Sequence, residues 1–361
     1  MSDAPIHLHG TMEGAGAYNR YGKPQAQGIE SALPILEHAV RDAPIEGVDP
    51  AVIVDYGSSQ GKNSLAPMRC AIRTLRARLG PVRPLVIYHV DQPSNDFNAL
   101  FSVLDNDPDS YVRDEPNVFS CAIGRSFYRS VLPAESVHIG WSSYAVVWLS
   151  RIPTAIPGHF FAHCSSGAVR AAFDRQGAQD WETFLTLRAT ELRRGGRLVV
   201  VHPNTPVAIG GDGSPGFLDL MDQANLVLAE MVAQGSITGE ARARMVIGSY
   251  PRSRRELLAP FEATGTFRGL VVQHCETLVP SDAAWTAYQQ DGDKESLATK
   301  RAQFFRSTFM PSLASALEDA GDENILHKFG TRLETGLRQR MAGRPAPLNL
   351  LAEVIAVAKH S

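Results

Sequence analysis

Short apolar runs alternate with helix-like segments through the first half of the chain. The runs lie at residues 51–54, 85–90, 137–140 and 198–201. Apolar positions at helical spacing mark two intervening helices, at 64–79 and 181–191, and glycines mark a turn at 194–197. Continuous apolar strands that alternate with helices are typical of a parallel sheet with both faces covered. The pattern therefore predicts an α/β fold.

The pattern changes after about residue 202. Residues 203–216 are rich in proline and glycine, which indicates a loop. Helical patterns follow at 217–234, 238–246 and 281–342, and one more buried strand is expected at 269–273. The last apolar segment, 348–358, fits either a strand or a buried helix.

These changes predict two domains. The first is a Rossmann-like α/β core formed by residues 1–205, 263–280 and 336–361. The second is a mostly helical cap, residues 206–262 and 281–335, which interrupts the core and would cover the substrate.

Composition excludes several classes of protein. The 361 residues are 44% hydrophobic and 20% charged, which is ordinary for a globular chain. A net charge of −3 argues against a nucleic-acid-binding surface. No apolar stretch reaches the ~18–20 residues of a membrane span, and the N-terminus lacks the features of a signal peptide. Four cysteines without CxxC spacing favour a reducing cytoplasm and argue against a structural zinc site.

Polar residues follow the predicted strands at the edge where ligands bind in parallel α/β sheets. The stretch DYGSSQGKN at 55–63 combines an acid with two glycines that let the backbone approach a ligand. It matches neither the dinucleotide fingerprint nor the P-loop. Asp91 ends the second run, where its carboxylate can accept hydrogen bonds from a ribose diol. From these residues alone, the ligand could be either S-adenosylmethionine or a nicotinamide cofactor.

Motifs along most of the chain resemble the plant-type SABATH methyltransferases. These enzymes transfer a methyl group from S-adenosylmethionine to small carboxylic acids or, in one branch, to xanthine nitrogens. The resemblance is carried by DQPSNDFN at 91–98, DYGSSQGKN at 55–63, SSYAVVWLSRIP at 142–153, GRSFY at 124–128, GGR at 195–197, YPRS at 250–253 and MEGAG at 12–16. Together these motifs are specific, although each one alone would be weak.

The resemblance implies a set of contacts with S-adenosylmethionine. They are expected from Tyr18, Ser58, Asn63, Asp91, Gln92, Ser126 and Phe127. Asp55 would lie near the methionine end of this cofactor, and Ser142 would join the same polar group.

The resemblance also implies a substrate pocket. Gln25 and Trp148 would be the catalytic pair, holding a carboxylate through their amide and indole N–H donors. Tyr144 and Val147 would flank this carboxylate. By position, the cap would contribute Leu220, Met221, Tyr250, Phe305 and Thr308. Family members are commonly homodimers, so a homodimer is expected.

The chain departs from the family pattern at several positions. Tyr56, Gly57 and Ser58 replace a common Leu-Gly-Cys, and Trp141 stands where a histidine is frequent. The last departure leaves the identity of the substrate open.

The predicted reaction needs no general base, because a carboxylic acid is already ionised near neutral pH. His89 and His138 lie inside apolar runs and are expected to be core residues. We therefore expect an enzyme that makes the methyl ester of a small carboxylic acid by in-line transfer. The alternatives are N-methylation of a small heterocycle on the same fold, cofactor binding without turnover, and a nicotinamide-dependent oxidoreductase.

Overall fold

One mixed sheet of eight strands forms the centre of the protein. The computed structural model describes residues 23–47, 49–204 and 216–360. The strands are β1 (Ala51–Tyr56), β2 (Leu85–Asp91), β3 (Val118–Gly124), β4 (Val137–Ser143), β5 (Leu192–Pro203), β6 (Thr266–Phe267), β7 (Leu270–Leu278) and β8 (Ala352–Lys359). Their order in the sheet is β3-β2-β1-β4-β5-β8-β7-β6. Strands β1 to β5 run parallel, whereas β8 is antiparallel to both β5 and β7, and β6 is antiparallel to β7.

Helices lie on both faces of the sheet and beyond its carboxyl edge. They are α1 (Lys23–Asp42), α2 (Leu65–Leu79), α3 (Phe97–Asn106), α4 (Gly167–Glu191), α5 (Gly216–Ala233), α6 (Gly239–Arg244), α7 (Arg254–Leu258), α8 (Ala283–Asp291), α9 (Lys294–Ala314) and α10 (Glu323–Ala342). Short 3-10 helices lie at Lys62–Ser64, Ala162–Cys164 and Ala259–Phe261. Side chains fix several helix starts: Asp96 accepts from the Ala99 N–H, and Ser253 and Glu256 form a capping box.

The hydrophobic pattern located most elements correctly. The four apolar runs lie in β1, β2, β4 and β5, and the helical spacings lie in α2 and α4. The predicted turn at 194–197 is wrong, because these residues continue β5 through a register irregularity opposite Val137 and Ile139. The C-terminal segment is a strand, and its central position between β5 and β7 explains its continuous burial.

Each face of the sheet has its own apolar core, because side chains alternate across a strand. Ile53 and Ile139 point toward α1 and α2, where they pack with Leu36 and Ile72. Their neighbours on the strands face the other way. Val54, Leu198 and Val200 pack there with Trp181 and Phe184 of α4. The sheet is thus covered on both sides, as its apolar strands require.

A separate apolar cluster joins α5, α9 and α10 with the segment at Phe160 and Phe161. Its members include the buried residues Leu220, Phe305 and Leu333. Most of this cluster lies within the region predicted as a helical cap, but Phe160 and Phe161 belong to the predicted core, and α10 continues without interruption past residue 335 to Ala342. The exact domain limits remain a prediction.

The strand order creates a crevice at the carboxyl edge of the sheet. β1 is paired with β2 on one side and with β4 on the other. The connections that leave these strands therefore diverge, and ligands of open α/β sheets bind at such a switch point. The segments that follow β1, β2 and β4 meet there.

Candidate active site

Hydrogen bonds join the loop after β1 to the end of β2. The Gly57 and Ser58 amides donate to the Val90 carbonyl at 2.7 and 3.1 Å. The Ser59 amide donates to Asp91 Oδ2 at 2.6 Å, and Asn95 Nδ2 donates to the Ser59 carbonyl at 2.8 Å. The loop is therefore held in position by its neighbour before any ligand arrives.

Asp91 is a half-buried acid with an unusual pKa. Burial raises the pKa of its carboxyl group to about 6, and the nearby charge of Asp55 adds to this rise. Hydrogen bonds from the Ser59 and Gln92 amides act in the opposite direction. The group is mostly ionised at neutral pH, so both of its oxygens can accept hydrogen bonds from a ligand.

Ser58 and Phe127 lie close to the same loop. Ser58 is buried, and its hydroxyl oxygen has no hydrogen-bond partner among the described residues. Phe127 is buried beside Gly57, where its Cε1 lies 3.8 Å from the position a Cβ on that glycine would take. The preceding Ser126 hydroxyl accepts from the Tyr128 amide at 3.2 Å. An unpaired buried hydroxyl next to an aromatic face is suited to a polar ligand with a planar ring.

Asp55 takes part in a buried hydrogen-bond chain on the opposite side of the loop. Its Oδ2 accepts from the Ser64 hydroxyl and lies 3.2 Å from His89 Nδ1. His89 Nε2 lies 2.8 Å from the Tyr111 hydroxyl, which lies 2.9 Å from the Ser120 hydroxyl. His89 is thus a core histidine with both nitrogens in use, as the sequence predicted. In this structure Asp55 supports the loop through that chain.

The remaining residues that were predicted to bind the cofactor lie in different parts of the structure. Ser142 is fully buried, and its hydroxyl donates to the Tyr56 carbonyl at 2.8 Å, which ties β4 to β1. Asn63 lies in a groove between α1 and α2. Gln92 follows Asp91, and its carbonyl accepts from the Asn95 amide at 2.9 Å. Tyr18 lies outside the described residues.

A cavity lies beside the segment that follows β4, between the sheet and the helices α5 and α9. It brings together five of the predicted substrate residues, namely Gln25, Tyr144, Val147, Trp148 and Thr308. Its other lining residues were not predicted from the sequence, and they are Pro24, Phe161, Pro203, Asn204, Phe217, Ser249, Pro251, Phe304, Phe309 and Leu350. Among these described lining residues there is no acid, histidine, cysteine, lysine or arginine. The cavity is therefore apolar, with a few polar side chains.

Two of those polar side chains have unpaired oxygens. Gln25 and Thr308 are buried, and neither Gln25 Oε1 nor Thr308 Oγ1 has a hydrogen-bond partner among the described residues. Asn204 Nδ2 donates to Glu353 Oε1 at 2.7 Å, which fixes the orientation of that amide. A ligand that offers matching polar groups would remove the cost of leaving Gln25 and Thr308 unpaired.

The segment that carries Trp148 is held from several directions. The Tyr128 hydroxyl donates to the Trp148 carbonyl at 2.7 Å, and Trp148 forms an isolated bridge with Ser249. The Tyr250 amide donates to the Val147 carbonyl at 2.8 Å. The buried Arg252 guanidinium donates to the Val146 carbonyl at 2.7 Å. The indole of Trp148 is therefore displayed from a rigid backbone.

Four residues that were predicted to contact substrate occupy other places. Leu220, Met221 and Phe305 are fully buried in the apolar cluster of α5, α9 and α10. The residues of α5 and α9 that line the cavity are Phe217, Phe304, Thr308 and Phe309. Tyr250 is also buried, and its hydroxyl donates to Asp174 Oδ1 at 2.7 Å. In the described structure none of the four lines the cavity. Hydrophobic spacing cannot tell which buried position of a helix faces a cavity and which faces the core.

Trp141 also lies away from the cavity. It is fully buried in the core between the sheet and α1. Its register partner on β1 is Asp55, so its side chain lies on the same face of the sheet as the Asp55 hydrogen-bond chain. The replacement of histidine at this position therefore changes the core below the crevice.

One group of potential metal ligands lies elsewhere. The ligand atoms of His159, Cys164 and Asp222 lie within 4.8 Å of one another. However, His159 Nδ1 accepts from the Phe161 amide at 2.9 Å, so the neutral ring carries its proton on Nε2, 3.3 Å from Asp222 Oδ1. In this tautomer Nε2 carries a hydrogen and has no lone pair for a metal.

Comparison with known proteins defines the class of this fold. A solved structure of loganic acid methyltransferase with S-adenosylhomocysteine (SAH) superposes on this chain with a TM-score of 0.74 at 21% identity. The superposition covers 97% of this chain and 99% of that one. The chain thus has the Rossmann-like methyltransferase fold.

Sequence comparison then defines the family. Residues 6–352 match the family described as SAM dependent carboxyl methyltransferase. Salicylate carboxymethyltransferase from Clarkia breweri is 28% identical over 339 residues, covering 88% of this chain and 90% of that protein. A probable caffeine synthase, MTL1, from Coffea canephora is 24% identical over 368 residues, covering 92% and 93%. The chain belongs to this carboxyl methyltransferase family, also called SABATH, and its cofactor is S-adenosylmethionine.

Proposed function

We propose that the protein transfers the methyl group of S-adenosylmethionine to a carboxylate oxygen of a small acid and so forms a methyl ester. The observation that carries the proposal is the cavity that Gln25 and Trp148 line together with apolar side chains. Amide and indole N–H groups can hold a carboxylate without protonating it. The surrounding apolar residues exclude water from the attacking oxygen.

The chemistry of this step suits a site without a general base. S-adenosylmethionine supplies a methyl group bound to a positively charged sulfur. A carboxylate oxygen forms the new bond to that carbon as the carbon–sulfur bond breaks, and the charges of the two reactants cancel. No proton is transferred. The described lining residues agree with this requirement, since they include no histidine, acid or cysteine.

We propose that the cofactor lies along the crevice from Asp91 to Ser58 and Phe127. The residues fit such a molecule. The ionised Asp91 carboxylate can accept from two ribose hydroxyls, and the unpaired Ser58 hydroxyl can hydrogen-bond a polar group. Phe127 lies beside the loop and offers an aromatic face to a base. Gln92, Ser126, Asn63 and Ser142 would complete or support this site.

The substrate side of the proposal rests on Tyr144, Val147 and Thr308, which line the cavity with the catalytic pair. Phe304 and Phe309 replace Phe305 as the proposed aromatic contacts from α9, because they face the cavity. The aromatic side chains that line the cavity favour an aromatic or otherwise apolar acid as the substrate.

A second candidate is N-methylation of a small heterocycle. The unpaired Gln25 Oε1 and Thr308 Oγ1 favour it, because both oxygens could accept hydrogen bonds from ring N–H groups. A ring nitrogen that carries a proton would need a base, and the described cavity lining offers none. We therefore retain ester formation as the first candidate.

Methyl transfer to a panel of substrates tests the proposal. The full-length protein is incubated with methyl-labelled S-adenosylmethionine and aromatic or aliphatic acids, each matched by its amide. We expect transfer to an acid but not to its amide, and release of the label as methanol in mild alkali. Alkali-stable label on a nitrogen heterocycle, with no transfer to any acid, would replace the first candidate by the second.

We further propose a homodimer that works in the cytoplasm on small molecules, without nucleic-acid or membrane partners. The family resemblance supports the dimer, and four free cysteines support a reducing compartment. None of the described helices combines the length and apolar character that crossing a bilayer requires. Light scattering of the purified protein would test the dimer.

A further inference from the structure

A cationic pocket lies at the edge of the sheet opposite the active site. It is formed by the beginnings of β4 and β5 and the end of β8, and its volume is about 570 Å³. Its positive side chains are Arg193, Arg194, Arg197 and Lys359. A concave site of this size can hold a small ligand.

The four cations of this pocket are not neutralised by ion pairs within the described chain. Arg197 donates to the Gly195 and Asp42 carbonyls, Arg194 to the His360 carbonyl, and Lys359 to the Arg268 carbonyl. Glu46 is the acid of the pocket lining, and no described carboxylate lies within salt-bridge distance of these four cations. Like charges that share one pocket repel each other, and a bound anion would remove that cost.

His138, at the base of the pocket, provides a second and independent observation. Its Nδ1 accepts from the Val52 amide at 3.0 Å, so the neutral ring must carry its proton on Nε2. Burial and the positive charges of Arg193 and Arg83 lower the pKa of His138 to about 4, which keeps the ring neutral. Arg193 Nη1 lies 3.3 Å from the same Nε2. Two donors therefore face each other without an acceptor.

We propose that this pocket binds a phosphate or pyrophosphate group, with one oxygen placed between the Arg193 guanidinium and the His138 Nε2–H. Four cations favour a ligand with more than one negative charge. A phosphate oxygen accepts strong hydrogen bonds from guanidinium groups, and a tetrahedral phosphate offers acceptors in several directions. The site is separate from the methyl-transfer cavity and does not depend on the proposed reaction.

Calorimetry with pyrophosphate and with inorganic phosphate, at constant ionic strength, tests the site on the full-length protein. We expect saturable binding of one anion per chain. Arg193→Gln should weaken it by about tenfold or more, the loss expected for one charged hydrogen bond. Arg175→Gln removes an exposed arginine of α4 outside the pocket and should leave binding unchanged. Affinity for SAH should be the same in all three proteins.

Two results would overturn the assignment. One is the absence of saturable binding to the unmodified protein, and the other is equal binding by the Arg193→Gln and Arg175→Gln variants. Cosedimentation with vesicles that contain phosphatidic acid identifies the source of the phosphate. We expect no retention on the vesicles, because His138 lies buried at the base of the pocket and a free anion reaches it more easily. Retention that Arg193→Gln abolishes would support the same phosphate site with a lipid headgroup as its ligand.

Discussion

Gly57 and Ala145 are in contact across the crevice. A Cβ atom on Gly57 would lie only 2.1 Å from the Cβ of Ala145, and Gly57 has a φ of +94°. The glycine follows β1 and the alanine follows β4, so the contact joins the two loops that diverge at the switch point. Only a residue without a side chain allows this approach.

Replacing Gly57 by alanine should therefore be costly for two reasons. The positive φ costs about 1–2 kcal/mol for a residue with a Cβ. The overlap with Ala145 adds about 1–3 kcal/mol, because a packed site cannot move without strain. We expect a matching fall in the free energy of unfolding, measured by chemical denaturation, and weaker binding of SAH in calorimetry.

Gly80 supplies the control for that substitution. It also has a positive φ, of +74°, but nothing lies within 4 Å of the position of its Cβ. Gly80→Ala should show the conformational cost without the overlap. In the double variant Gly57→Ala, Ala145→Gly the overlap is removed, so this variant should regain the stability lost to the overlap but not the stability lost to the positive φ. Equal stability of the single and double variants would contradict the proposed contact.

The indole N–H of Trp148 provides the second prediction. Trp148→Phe keeps an aromatic ring in the cavity but removes the donor. A lost hydrogen bond to a charged group costs about 1.5–3 kcal/mol, so kcat/KM for the acid should fall by about 10- to 150-fold. Affinity for SAH should stay nearly constant, because the substitution affects the substrate side.

A matched control separates this effect from a general loss of tryptophan. Trp285 lies in α8 and is not among the residues that line the cavity. Trp285→Phe should leave both kcat/KM and SAH affinity unchanged. Loss of SAH affinity in Trp148→Phe would contradict the role proposed for Trp148.

The sequence predicted the crevice better than the cap, and the reason is physical. Strands that end in a turn leave a local signal, so Asp91 and the Gly57 loop could be located from apolar runs and the residues after them. Their meeting point then follows from the parallel order of the strands. The family motifs supplied Gln25 and Trp148, which no local pattern distinguishes from surface or core residues.

The other residues of the cavity lining are determined by contacts between elements that are far apart in the sequence. Phe304 and Phe305 are adjacent apolar residues of α9, yet only Phe304 lines the cavity. That difference depends on how α9 packs against α5 and the sheet. Asn204 also lines the cavity, and its amide is held by Glu353, which lies 149 positions away on β8. Such pairings are not contained in a pattern of hydrophobic and polar positions.

The raised pKa of Asp91 gives a prediction about pH. Its carboxyl group has a pKa of about 6 in the free protein, so it is ionised above that pH and protonated below it. A protonated carboxyl loses acceptor capacity toward ribose hydroxyls. SAH should therefore bind with constant affinity above about pH 7, and the affinity should fall by up to tenfold per unit below about pH 6.

Asp91→Asn tests the origin of that dependence. The amide does not ionise in this range. Asp91→Asn should therefore bind SAH more weakly than the native protein does at neutral pH, and its affinity should stay constant from pH 5 to 8 wherever calorimetry can measure it. The variant should be compared with the native protein in one buffer series. A dependence on pH that persists in Asp91→Asn would assign the titration to another group.

Gly28 and Tyr144 provide the last prediction. Gly28 lies in α1, and a Cβ on this residue would be 1.8 Å from the Tyr144 hydroxyl oxygen. Tyr144 itself has a φ of 54°, which restricts how its backbone can adjust. Gly28→Ala should therefore move the tyrosine ring within the cavity and raise KM for the acid more than it changes SAH affinity. Adding Tyr144→Phe removes the closest clashing atom and should restore part of the KM. A Gly28→Ala variant with unchanged KM would show that this ring does not border the substrate.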